Sequence, residues 1–204
     1  MEIKDFKGIS VRGLAAYGIC CLENAILHYN LQETGWKILL EKYWLYASLP
    51  RFLGLGNHYH YNPKDIRDLE GVYMFCDECS PGEVIREVEG KKSPSEGTIN
   101  SASEEEVLLL YEAFTNPNNN IREIMRKVIW AVWDIMFAEW NGGLNYPLFL
   151  ELAEKLSKLM EDNGITLPDI EMFRKYEFSS DMLEEEPEFG DPFNGQEELS
   201  KILN

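Results

Sequence analysis

The sequence predicts an all-α protein, a single-domain helical bundle of about six or seven helices with a tryptophan-rich helix at its centre. Three observations carry that prediction. Apolar residues recur at helical spacing through most of the chain, and no stretch shows the period-2 alternation of a half-buried strand. Helix-opening and helix-closing residues bracket those stretches at the expected offsets. The 204 residues, 45% hydrophobic and 12% aromatic, are enough to bury one sizeable core.

The elements follow in order. Residues 11–29, "VRGLAAYGICCLENAILHY", have Ser10 placed as N-cap, and His28 sits where it can cap the last carbonyls. Cys20 and Cys21, adjacent in this apolar helix, read as reduced core thiols. A second helix runs through "TGWKILLEKYWLYAS" and Pro50 stops it. "RFLGLGNHYHYNP" reads as a glycine-rich loop, after which Asn62 and Pro63 open a short helix. Around "VYMFCDEC" helix and strand are not separable, and "SPGEVIREVEGKKSPSEGTINSAS" is a long polar connection. Ser103 and Glu106 form an S-x-x-E capping box ahead of "EEEVLLLYEAF". Asn119 or Asn120 opens the next helix, Asn145-Tyr-Pro147 the one after, which Gly164 closes, and Pro168-Asp169 starts a last short helix toward Phe178. The domain therefore spans residues 1–178, and residues 179–204 read as an acidic C-terminal tail whose Phe189, Phe193 and Leu199 are placed either in solvent or on a basic partner. "DPF" at 191–193 is too short to carry a motif argument.

The helix at 128–140, "VIWAVWDIMFAEW", holds three of the five tryptophans. At about 100° per residue Trp130, Trp133, Phe137 and Trp140 fall within roughly 80° of arc, with Ile129 and Met136 extending the face. Val128, Ala131, Val132 and Ile135 make the other sides apolar, which argues for core packing rather than a ligand box, each ring contributing about 2–3 kcal/mol. Asp134 is the exception: a carboxylate on that face needs a partner or the surface.

The net charge of −17 excludes more than it identifies. By segment it is +1 over residues 1–60, −7 over 61–110, −3 over 111–176 and −8 over 177–204. Such a surface repels phosphate backbones and anionic lipid, so neither nucleic acid nor membrane is an expected partner, whereas a basic protein is. No apolar run is long enough to span a bilayer. "MEIKDFKGIS" lacks the basic start and apolar run of a signal peptide, so a cytoplasmic location is expected.

Catalytic chemistry finds little purchase. His58 and His60 with Cys76 and Cys79 match four tetrahedral zinc ligands in number and type, but the paired knuckles with turn glycines are missing, and no metal or cofactor is assigned. There is no G-x-S-x-G, Walker loop or dinucleotide fingerprint, and carboxylate pairs such as Glu151/Glu154 lack the histidines of a di-iron bundle. The chain reads as a non-enzyme. A metal-dependent enzyme using His58 and His60, and a helical scaffold or regulatory protein, are the rival readings.

"CLENAILHY" in the first long helix, "WAVWDIMFAEW" with the following "PLFLELAEKL", and "LPDIEMFRKYEFS" together resemble the all-α immunity proteins of bacterial polymorphic toxin systems, in particular the immunity protein 6 family. The resemblance implies a protein without catalysis that binds and blocks a cognate toxin. On the sequence alone, the anchors of such an interface would be Tyr59, Tyr61 and Trp140, ringed by Asp65, Asp68 and Glu139.

Overall fold

The computed structural model describes residues 1–31, 33–48, 83, 103–137, 145–176, 190–191 and 193–204. Their regular structure is helical: α1 (Ile3–Phe6), α2 (Val11–His28), α3 (Thr34–Ser48), α4 (Glu104–Thr115), α5 (Asn119–Phe137), α6 (Tyr146–Asp162), a 3-10 turn (Ile170–Phe173) and α7 (Gly195–Leu199). No helix among them is long and apolar enough to cross a membrane.

Among the described elements the one enclosed on every side is α2, packed against α3, α5, α6 and the 3-10 turn. Its residues from Val11 through Ile26 are all buried. The reason is steric. Gly13, Ala15, Ala16, Gly18, Cys20, Cys21 and Ala25 are small, so neighbouring helices close in from several directions at once. Ser10 caps α2 as expected, its Oγ accepting from the Gly13 amide at 3.2 Å. The other end is closed by backbone rather than by His28. Asn30 takes the left-handed conformation (φ 57°), and the Leu31 amide reaches back to the Ile26 carbonyl at 2.8 Å. The exposed His28 ring instead lies edge-on to Tyr29.

The tryptophan helix α5 therefore flanks the centre rather than forming it. It lies along α2 and α6. Met125, Val128, Ile129, Val132, Ile135 and Met136 are its buried stripe, while Trp130 and Trp133 are only half-buried, edge-to-face with ring centroids 5.9 Å apart. Aliphatic side chains interlock with the small residues of α2, and the larger indoles are left at the rim. The opening cap of α5 is Asn118, one residue earlier than expected, its Oδ1 accepting from the Ile121 amide.

Elsewhere local signals hold. Ser103 and Glu106 exchange both capping-box bonds at the start of α4. Asn145 precedes α6, with Pro147 in its first turn, and Gly164 (φ 67°) ends it with the Ile165 amide bonded to the Met160 carbonyl. Phe6 and Phe173 meet Tyr17 edge-on at 5.1 and 5.5 Å, tying α1 and the 3-10 turn to α2. The buried Tyr17 and Ser157 hydroxyls are 2.7 Å apart.

The picture of a solvated tail fails for the last described residues. Leu199 is only 5% exposed and Ser200 6%. Phe193 stacks on Tyr176 with centroids 3.8 Å apart. Residues 193–204 thus pack on the bundle itself, with Leu199 buried and Phe193 partly covered. The acidic composition of this segment hides the single buried leucine and the donors that fasten it.

Candidate partner-binding surface

Every residue nominated from sequence as a partner contact (Tyr59, Tyr61, Asp65, Asp68, Glu139 and Trp140) lies outside the described residues, as do His58, His60, Cys76 and Cys79. Among the described residues, no group of three or more His, Cys, Asp or Glu side chains is placed to hold a metal ion. Cys20 and Cys21 are free and buried, and desolvation pushes both thiols up, which keeps them protonated.

Two described surfaces combine acid with apolar area. The first is α4. Val107, Leu110, Ala113 and Phe114 face inward, packing the helix on α3, so Glu105, Leu108 and Glu112 face outward at helical spacing. Leu108 is 40% exposed between the two acids. Residues 103–116 contain four glutamates and no lysine or arginine, so nothing on this helix neutralises its outer face. The close seat of α4 depends on Gly35, where α3 passes so near that a side chain would strike the Leu109 carbonyl.

The second surface is the outer edge of α5, where Asp134 stands beside the half-buried Trp130 and Trp133. Asp134 is exposed, which answers the question its position raises: the carboxylate reaches solvent rather than being sealed among the rings. Partial desolvation raises its affinity for a proton, and Lys155 on α6 pulls it back.

The polar group that sequence reasoning missed is Glu23. It is 1% exposed on α2, and accepts from the Trp44 indole Nε1 (2.9 Å), the Ser200 hydroxyl (2.5 Å) and the Lys201 amide (2.8 Å). Arg12, also on α2 and 1% exposed, donates from Nε to the Gly190 carbonyl at 3.1 Å. An acid set among Cys, Leu, Asn and Ala in a buried helix was the available signal, since a buried charge must be satisfied. Its partners, Trp44 at 21 residues and Ser200 and Lys201 at 177 and 178, were not legible.

The described elements define an acidic all-α bundle. No protein-family model matches the chain, and no curated protein or solved structure matches it.

Proposed function

We propose that this protein is a non-catalytic inhibitor that binds a basic protein and covers its working surface, as an immunity protein does for a bacterial toxin. The observation that carries the reading is the outward face of α4, where Glu105 and Glu112 flank an exposed Leu108 on a helix without a cation. Acids of one sign around an apolar centre supply the two parts of a fast, specific interface. The field draws a cationic partner in, and the desolvated centre holds it. The net charge of −17 extends the attraction beyond the contact itself. The resemblance to immunity proteins of the sequence stretches in α2, α5 and α6 and at residues 167–179 supports the same reading.

The test is co-expression with the polypeptide encoded beside this chain's gene. Expected are rescue of growth from that neighbour's toxicity and a one-to-one complex whose association slows by at least about tenfold between 50 and 500 mM salt. The double variant Glu105→Lys/Glu112→Lys should slow association further with the melting temperature unchanged. A harmless neighbour, or a complex indifferent to both salt and charge reversal, would refute the proposal.

A further inference from the structure

The last described residues are held as a bound peptide is held. Their anchors are polar and specific: Ser200 and Lys201 on Glu23, the Lys201 ammonium on the Asn24 Oδ1 at 2.9 Å, and Glu198 receiving the Lys175 ammonium and the Tyr176 hydroxyl, each at 2.7 Å. Apolar contacts accompany them. Leu199 is the one core residue among the described residues after Phe173, with Phe193, Ile202 and Leu203 partly covered. The floor is shaped to receive this segment. Gly195 lies so close over the Trp44 ring that a Cβ there would come within 2.5 Å of it.

The segment also keeps its own shape. Asn194 caps α7 through the Glu197 amide, Ser200 Oγ accepts from the Leu203 amide at 3.0 Å, and the Asn204 side chain bonds the carbonyls of Gln196, Glu197 and Ser200. Its departure would let Glu23 regain water, so the buried charge does not forbid release.

We infer that residues 193–204 are an exchangeable strap: an internal peptide ligand seated in a groove of α2 and α3 whose floor (Glu23, Asn24 and Trp44) recognises a hydroxyl followed by a lysine, as in Ser200-Lys201. This inference is independent of the partner proposed for α4.

Hydrogen exchange on the intact wild-type chain tests it without any substitution. The Lys201, Leu203 and Glu198 amides should exchange at least about a hundredfold faster than the Leu22 and Ala25 amides of α2, through an opening insensitive to denaturant. Exchange of the strap together with α2, at the same rate and with the same denaturant dependence, would overturn the inference.

The second measurement uses a labelled synthetic peptide of residues 193–204 and the full-length variant Leu199→Asp, whose own strap is weakened. Saturable binding that falls at least about tenfold with Ser200→Ala in the peptide, or with Glu23→Gln added to the protein, supports the exchange. A folded Leu199→Asp that takes up no peptide overturns it, and so does global unfolding of that variant, which would make the segment part of the cooperative core.

Discussion

Gly35 offers the sharpest test of how this bundle is packed. A Cβ built there meets the Leu109 carbonyl oxygen at 2.2 Å, the Leu109 carbonyl carbon at 2.8 Å and the Ala113 Cβ at 2.7 Å. These are backbone and the root of a side chain, so no rotamer change relieves them. Restoring ordinary contact requires α3 and α4 to part by about an ångström, and a gap of that size forfeits a quarter to a half of the dispersion well for each contact across it. The interface that opens includes Trp36 and Phe114, edge-on at 5.2 Å, with Leu39, Val107 and Leu110. Overpacking of this kind costs up to about 3 kcal/mol, and the rigid obstacle places Gly35→Ala at the upper end.

Alanine's helix propensity opposes this by at most about 1 kcal/mol, and by less in a first turn. Sterics win by about 2 kcal/mol, a loss of about 4–8 °C in melting temperature for a chain of this size. Gly18 is the control. It sits mid-helix with its nearest neighbours, on Ile135 and Val132, at 3.5 Å, an ordinary contact. Gly18→Ala should therefore gain about 0.5–1 kcal/mol. Guanidinium unfolding followed by tryptophan fluorescence, at unchanged m-value, measures both. If Gly35→Ala matches the wild type, or Gly18→Ala is the more damaging, the close crossing of α3 and α4 is wrong.

Three further outcomes follow from other sites. Ser157 donates to the Ala153 carbonyl, so the Tyr17 hydroxyl is the donor between them; Tyr17→Phe and Ser157→Ala should each cost about 1 kcal/mol, since the Cys21 sulfur still partners the hydroxyl that Ser157→Ala leaves, and equilibrium unfolding of both variants checks it. Ser103→Ala removes the acceptor of the Glu106 amide and should cost about 1 kcal/mol, seen as earlier loss of helical circular dichroism on heating. Asp134 binds its proton more tightly in the folded chain, so the stability it contributes is present at low pH and lost as pH rises through its folded-state value. Asp134→Asn should thus raise the melting temperature at pH 7 and leave it unchanged below about pH 3. A calorimetric loss at pH 7 would instead show the ionised carboxylate to be stabilising through Lys155.

What was readable in the sequence was what a few neighbouring residues decide. Ser10, the Ser103–Glu106 pair, Asn145-Tyr-Pro147 and Gly164 act on amides and carbonyls within four or five positions, so helix ends announced themselves. The choice of centre did not. Rings draw attention to α5, yet enclosure depends on how closely neighbours approach, which the glycines, alanines and cysteines of α2 settle by being small. The docking of residues 193–204 was hidden for a related reason: an acidic composition says nothing of three donors converging on one carboxylate far upstream. The nominated contacts at 59–68 and 139–140 lie outside the described residues, so the described part of the candidate surface rests on α4 and Asp134.

The separation between Glu23 and Ser200 also sets a timetable for the newborn chain. Synthesis at 5–20 residues per second leaves about 9–35 s between the emergence of the carboxylate and that of the hydroxyl 177 residues later. Throughout that interval the greasiest of the described helices is already made, while two of the groups that satisfy its acid are still missing. Chaperone dependence should accordingly be greatest early in translation, and ribosome-bound nascent chains stalled before Ser200 should be cut by protease where the finished protein is spared.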